Sequence, residues 1–258
     1  MRFNDKAIIV TGGAQGIGRA CAEAFAAEGG AVVIADVDAA GGEALAAAIN
    51  GRGGKALFVR TDIGDAREAG VLMDATLEWA CRLDVLVNNA GIIKTGEFLD
   101  LSEADFDAVL RVNLKGPFLV GQAAARVMVA RGGGGTIVNM SSANAVLAIP
   151  NQVPYVTSKG GLNQLTKVMA LALADKNIRV NAVGPGSIMT DILRVVMDND
   201  EARRRILSRT PLGRTGEPAE VARLVLFLAS DDASYMTGQC VYIDGGRMAL
   251  NYTVPVRD

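Results

Sequence analysis

Tyr155 and Lys159 stand four residues apart in the run Tyr-Val-Thr-Ser-Lys, at the head of a stretch with helical pattern. That spacing projects both side chains from one face of a helix. Ser142 lies 13 residues before the tyrosine, just past an apolar, β-branched run. The chain contains no histidine. This removes Ser-His-Asp and Cys-His nucleophiles, the HExxH metal motif and histidine general bases. Acid–base chemistry near neutral pH therefore falls to a carboxyl, Cys, Lys or Tyr with a shifted pKa. Taken alone, Tyr-x-x-x-Lys and a Ser-Ser pair are short patterns that recur without meaning.

A second constellation points to phosphate. The first β-branched run enters Thr11-Gly-Gly-Ala-Gln-Gly-Ile-Gly18, and a helix pattern follows at once. Glycines there let the backbone turn tightly and approach a pyrophosphate, which the open N–H groups and dipole of the helix N-terminus stabilise. The spacing of Gly12, Gly16 and Gly18 differs from the common G-x-G-x-x-G, and a purely structural turn is the other reading. Asp36 ends the next apolar run, 20 residues after Gly16. A dinucleotide fold places a ribose-binding acid there. Such a carboxylate repels the 2′-phosphate of NADP. No Lys or Arg occurs between Gly29 and Gly51, and Gln15 is neutral, which favours NAD. Alternatively, Asp36 and Asp38 merely cap the next helix.

These residues need a scaffold that brings them to one edge. Apolar runs at Ala7–Val10, Ala31–Ala35, Ala56–Val59, Val85–Val87, Thr136–Met140, Ile178–Val183 and Cys240–Ile243 read as strands. Several are apolar throughout, as in a parallel sheet buried on both faces. Helix patterns fall near 17–28, 39–50, 66–80, 103–131, 154–175 and 218–229; Ile17, Ala20, Cys21, Ala24 and Phe25 make one apolar stripe. The alternation predicts an α/β, single-domain doubly wound Rossmann fold over 1–258, with a seven-stranded parallel sheet and helices on both faces. The insert at about 187–217, rich in Arg, Asp and Met, reads as a mobile substrate flap.

At 258 residues the chain can bury a core without staples. Its 26 basic and 28 acidic residues give a net charge of −2, which offers no footprint for nucleic acid or an anionic membrane. The apolar run at Ala7–Val10 is too short for a signal peptide, and no stretch suits lipid, so a cytoplasmic protein is expected. Cys21, Cys81 and Cys240 are odd in number and form no CxxC, so buried reduced thiols are expected rather than a metal site or disulfides.

Together these pieces resemble the short-chain dehydrogenase/reductase family along nearly the whole chain. The matching motifs are TGGAQGIG at 11–18, Asp36, Asp62, NNAG at 88–91, Asn113 in VNLKG, IVNMSS at 137–142, YVTSK at 155–159, RVNAVGPG at 179–186 and IDGG at 243–246. The resemblance implies that Tyr155 is the general acid or base and that Lys159, with the positive nicotinamide, lowers its pKa. It implies that Ser142 holds the substrate oxygen and that Asn113 holds a water behind Lys159 in a proton relay. It places Gly12, Gln15, Gly16, Ile17, Gly18, Asp36, Asp62, Ile63, Asn89, Gly91, Tyr155, Lys159, Pro185, Gly186, Ile188 and Thr190 around NAD. Asp62 would meet the adenine, and Asn89 with Gly91 the adenosine ribose. Asn88 reads equally as a tie between strands.

The expected function is hydride transfer between NAD and a secondary alcohol or ketone, possible substrates being a sugar, a polyol or another hydroxylated metabolite. The alternatives are a 3-oxoacyl-carrier-protein reductase and a non-enzymatic NAD-binding regulator. Asn144, Gln152 and Lys94 are the candidate substrate contacts, although Asn144 reads equally as a loop stabiliser and Val146, Leu147, Ile149 and Val153 favour a more lipophilic compound. The resemblance also implies a homotetramer packed through the helices at 103–131 and 154–175. The apolar run Met248–Val256 is expected to add a further contact between subunits.

Overall fold

Short runs of Val, Ile and Ala make the strands, and the turns that follow each run carry the polar residues. In the computed structural model, which describes residues 1–256 with the side chain of Ile192 excepted, β1 (Ala7–Thr11), β2 (Ala31–Asp36), β3 (Lys55–Arg60), β4 (Val85–Asn88), β5 (Gly135–Met140), β6 (Ile178–Pro185) and β7 (Cys240–Ile243) form one sheet. Its order is β3-β2-β1-β4-β5-β6-β7, with every neighbouring pair parallel. The order reverses between β1 and β4, which opens a crevice at the carboxyl ends of those strands.

The connecting helices are α1 (Gly16–Ala27), α2 (Ala39–Gly51), α3 (Ala66–Ala80), α4 (Glu103–Leu110), α5 (Gly116–Arg131), α6 (Val153–Leu173), α7 (Asp191–Met197), α8 (Asp200–Leu207) and α9 (Pro218–Ala229). Alternate strand residues serve opposite faces. Ile8, Val10, Val32 and Ile34 pack with α1, α2 and α9. Ile9, Val33, Leu86 and Ile137 pack with α3, α5 and Ala170 of α6. Both faces are dry, which is why these strands lack a polar alternation.

Three local readings change. The single helix expected over 103–131 is interrupted by a π-turn at Arg111–Lys115, which joins α4 to α5. The insert at 187–217, read only as a flap, contains two short helices, α7 and α8. Asn199 caps α8 by accepting from the Ala202 amide, with Asp200 and Glu201 in its first turn and Arg204 and Arg205 in its last. Those charges complement the helix dipole, a signal that apolar periodicity misses. The thiols are free, but they are not all buried: Cys21 is buried, Cys240 is half-buried, and Cys81 is exposed at a left-handed residue (φ 58°) that ends α3. Within the run Met248–Val256, mostly exposed or half-buried in the single chain, the Val254 amide donates to the Ser208 carbonyl at 2.8 Å.

The opposite edge of the sheet is tied by one carboxylate. Asp84 is buried at the head of β4. It accepts from the Ala7 amide at 2.8 Å, from Arg82 at 2.7 and 2.8 Å, and from Arg131 at 2.9 Å. Burial opposes its ionisation, but Arg82, the Ala7 amide and Arg131 outweigh it and hold the carboxyl below its ordinary 3.8. A lowered folded pKa contributes stability above the unfolded value, and that stability is lost as pH falls through the folded value. Asp84→Asn should therefore cost about 3 kcal/mol at pH 7 in urea denaturation, with the gap from wild type narrowing below about pH 4.

Candidate active site

At the crevice, the end of β1 is bound to the end of β4. The buried Thr11 hydroxyl donates to the Val87 carbonyl at 3.3 Å and accepts from the Asn89 and Ala90 amides at 3.0 and 3.1 Å. The Asn89 side-chain amide donates to the carbonyls of Thr11 (3.0 Å) and Gly12 (2.9 Å). Thr11 was not singled out from the sequence, although it opens the glycine motif.

The glycine turn fits an anion. Gly12 has φ +61°, and a Cβ there would sit 2.6 Å from the Ala90 Cα. A methyl on Gly18 would overlap the Gly12 carbonyl oxygen. Gly16 has φ +55°, and a Cβ on it would lie 3.3 Å from the Thr190 methyl. Gln15 precedes α1 without a side-chain cap, so the first-turn amides at Gly16, Ile17 and Gly18 and the positive end of the helix dipole stay open. Asp36 lies beside this turn. Its carboxylate accepts from the Ala14 amide at 2.9 Å and the Asp38 amide at 3.1 Å. Asp38, not Asp36, caps α2, through the Gly41 amide. Asp36 thus braces the glycine turn, and each oxygen keeps a further lone pair for a ligand hydroxyl.

Asp62 and Ile63 follow β3. The Asp62 carboxylate is gripped by Arg111 at 3.0 and 3.1 Å and by the Gly64 amide at 2.9 Å. Partial burial opposes ionisation, yet the Gly64 amide and Arg111 hold it below the usual 3.8. This pairing across sequence was not foreseen. Ile63 is buried in the core cluster beneath α3 and α5.

Ser142, Tyr155, Lys159 and Asn113 converge around the end of β5. Ser142 begins the turn after β5, its hydroxyl accepting from the Asn144 amide at 3.0 Å. Tyr155 and Lys159 occupy successive turns of α6, and the ammonium lies 5.5 Å from the centre of the tyrosine ring. Lys159 is buried, and its Nζ donates to the Met140 carbonyl at 2.7 Å. Burial pulls Lys159 down from its ordinary 10.5 to about 8. Burial pushes Tyr155 up from 10, with the neighbouring Ser142 hydroxyl acting the other way. Asn113 sits in the π-turn, a feature frequent at functional sites. Its amide accepts from the Ile92 N–H at 2.8 Å and donates to the Ile92 carbonyl at 2.9 Å and to Ser158 at 3.2 Å. Gly91 lies beside this clamp, where a Cβ would be 3.4 Å from the Asn113 amide oxygen and 3.6 Å from the Lys159 Nζ.

A cleft of about 690 Å³ opens over Ser142 and Tyr155. Pro185, Gly186, Ile188 and Thr190 line one side, and Asn144 and Gln152 the other. Those two amides bond to each other at 3.2 Å. Helices α7 and α8 cover it with Leu193, Val196 and Ile206. Lys94 does not line it; its exposed ammonium pairs with Asp105 at 3.5 Å. Arg205, Arg209 and Arg247 do line it, and no local motif marked them.

The model of a family described as "Enoyl-(Acyl carrier protein) reductase" matches residues 12–248. The chain belongs to the short-chain dehydrogenase/reductase family. It is 42% identical to the 3-oxoacyl-[acyl-carrier-protein] reductase FabG of Thermotoga maritima, over 95% of this chain and 99% of the relative. It is 43% identical to an L-rhamnose 1-dehydrogenase (NAD(P)(+)) of Azotobacter vinelandii, over 95% and 98%. A solved short-chain type dehydrogenase/reductase from Mycobacterium marinum superposes with a TM-score of 0.91 at 38% identity, over 96% and 97%. This short-chain dehydrogenase/reductase is an oxidoreductase of CH–OH groups that uses a nicotinamide cofactor, which sets aside the non-enzymatic regulator. Among the described residues no helix is long and apolar enough to cross a membrane.

The buried lysine carries a stability signature. A folded pKa of about 8 against 10.5 means that between these values the unfolded chain binds more protons, so stability rises with pH across that window. Lys159→Met lacks this gain. Its stability relative to wild type should fall by about 3 kcal/mol between pH 7 and 10.5, read from denaturant midpoints of the cofactor-free protein.

Proposed function

We propose that this enzyme moves a hydride between NAD(H) and a secondary alcohol or ketone of a hydroxylated metabolite. The observation that carries the reading is the placement of Ser142 and Tyr155 in one cleft, with Lys159 buried 5.5 Å from the tyrosine ring centre, and with Thr190 of that cleft lying against Gly16 of the glycine turn that Asp36 braces. The bound nicotinamide would supply the hydride acceptor or donor. Gly12, Gln15, Gly16, Ile17 and Gly18 would hold its phosphates, and Asp36 the adenosine ribose. Asp62, Ile63, Asn89 and Gly91 would border the adenosine half, and Pro185, Gly186, Ile188 and Thr190 the nicotinamide half.

Within this chain, Tyr155 exchanges a proton with the substrate oxygen and Ser142 hydrogen-bonds that oxygen as charge develops. Lys159 steadies the phenolate form and holds the nicotinamide ribose, while Asn113 secures the backbone behind it. Asn144 and Gln152 give the wall neutral donors and acceptors, which suits a substrate with several hydroxyls; the rhamnose-oxidising relative points the same way. The carrier-protein reductase relative supports a second reading, reduction of a 3-oxoacyl thioester by the same residues.

Preference for NAD over NADP rests on Asp36. Arg60, opposite Asp36 in the strand register, lies 3.6 Å from Glu68, and Arg19, which follows Gly18, lies 3.5 Å from Glu23, so both are already paired with other acids. The exposed Phe118, Val168 and Leu171 on α5 and α6 support a homotetramer joined through these helices. Free thiols fit the cytoplasm, where they stay reduced.

Two outcomes test this reading. Calorimetry should show NAD binding more than about tenfold tighter than NADP, the cost of facing a phosphate with a carboxylate. Asp36→Ala should narrow the gap, and equal affinity in the wild type would remove the argument. Tyr155→Phe should lower kcat about 10²–10⁴-fold with NAD affinity held, as measured by NADH absorbance across a panel of polyols, hydroxy acids, simple alcohols and thioesters. Near-normal turnover would exclude Tyr155 as the proton donor.

A further inference from the structure

The cover of the cleft is not electrically neutral. Helix α8 turns Ala202, Arg205 and Ile206 toward the cavity, the i, i+3 and i+4 positions of one face, and Arg209 lines it from the turn just past the helix end. Arg247, in the turn after β7, reaches the same cavity. Three guanidinium groups therefore border a space that contains one carboxylate, the exposed Glu97.

Among the described residues none of the three has an ion-pair partner. Arg209 and Arg247 are also half-buried, so they have given up part of their hydration without a counter-charge. The acid closest in sequence to Arg247 is Asp244. Its carboxylate is already engaged by the amides of Gly246 at 2.9 Å and Met248 at 2.7 Å. Burial and the like charge of Arg209 both weaken Arg247's hold on its proton, and Asp244 only partly opposes them. Half-buried cations that crowd one another are stabilised by an anion placed between them.

We propose that the substrate is an anion, whose carboxylate or phosphate is held by Arg209 and Arg247 while its carbinol or carbonyl faces Ser142 and Tyr155. Arg205, more exposed, stands at the entrance and draws the anion in. The proposal rests on the reading of the cleft given above and sharpens it from hydroxylated compounds in general to acidic ones. Arginine suits the task because its planar fork meets two oxygens of one oxyanion at once. Leu193, Val196 and Ile206, which line the same cleft, offer apolar surface to a short carbon chain.

The test uses the NAD-saturated protein, so that the glycine turn is filled and only the cleft is open to a small anion. Malonate and inorganic phosphate are titrated by calorimetry into wild type, Arg209→Gln, Arg247→Gln and Arg203→Gln. Arg203 is exposed and lies outside the cleft, so its variant controls for the loss of one charge from the same segment. One or both anions should bind wild type and the Arg203 variant alike. Each of the other two variants should bind about tenfold more weakly or worse, the loss expected for a charge-assisted hydrogen bond. Malonate bound in preference assigns a carboxylate, and phosphate in preference assigns a phosphate ester. If Arg247→Gln loses NAD affinity, and so its fold, Arg209→Gln decides.

Turnover gives a second reading. The ratio of kcat/KM for gluconate over sorbitol, or for 3-hydroxybutyrate over 2-butanol, should exceed one in wild type and fall about tenfold in Arg209→Gln. No binding of either anion by wild type, or equal binding by all four proteins, overturns the proposal. Turnover of sorbitol lost in Tyr155→Phe would then still stand for the function proposed above. Absence of NAD binding would instead sink that function.

Discussion

The backbone of the glycine turn runs against the end of β4 at a separation that no side chain permits. Gly12 abuts Ala90, Gly18 abuts the Gly12 carbonyl, and Asn89 fastens both to Thr11. Because β1 and β4 are neighbours whose following helices pack on opposite faces, their carboxyl ends meet with a crevice between them. Everything functional is arranged around that contact. Asp36 braces the turn from β2, Ser142 follows β5, and Pro185 ends β6. The two dry faces of the sheet, with Asp84 tying the opposite edge, keep this geometry rigid.

Chemistry without histidine places the proton-transfer work on groups whose ordinary pKa values lie far from neutrality. The site moves them unequally. Burial brings Lys159 down to about 8, yet it raises Tyr155. The chain's own residues therefore hold the phenol protonated, ready to give a proton to a carbonyl. Making it a base requires positive charge near the ring, which Lys159, 5.5 Å from the ring centre, provides in part. Burial and the hydrogen bond to the Met140 carbonyl leave the ammonium little freedom, so its charge acts at a fixed place. The π-turn that carries Asn113 is a departure from regular helix, and it falls where regular geometry would have aimed that side chain elsewhere.

The cover of the cleft is built differently from the sheet. Short helices α7 and α8 carry dipole-matched charges at their ends, and α8 an Asn199 cap, in place of a large buried core. Such elements lie at the low end of local stability. They and the turn after α8 carry the residues that differ in kind from the rest of the site: Leu193, Val196 and Ile206 for bulk, and Arg205 and Arg209 for charge. One rigid edge for the hydride chemistry and a separate cover for recognition divide the two tasks between parts of the chain with different stabilities.

What the sequence determined by itself was local. A strand buried on both faces must be largely apolar, so Ala7–Val10 and Ala31–Ala35 declared themselves. A turn that must admit a pyrophosphate needs glycine, and the helical repeat alone puts Tyr155 and Lys159 on one face. The tertiary structure decided what depends on chain segments far apart. Asp62 meets Arg111 only because β3 and α4 end at the same edge, and Lys94 is taken up by Asp105 instead of the cleft. Arg247 meets Arg209 only because β7 lies beside β6 and the insert folds back over both. The polar helix α8 shows no long apolar stripe because its ends are fixed by the Asn199 cap and by dipole-matched charges, and α7, only seven residues long, is too short for a helical repeat to show. Cys81 fell outside the core because α3 ends in a left-handed residue there. Periodicity reports which face of an element is buried, but the partner across the gap is set by strand order and loop path, which no local repeat encodes.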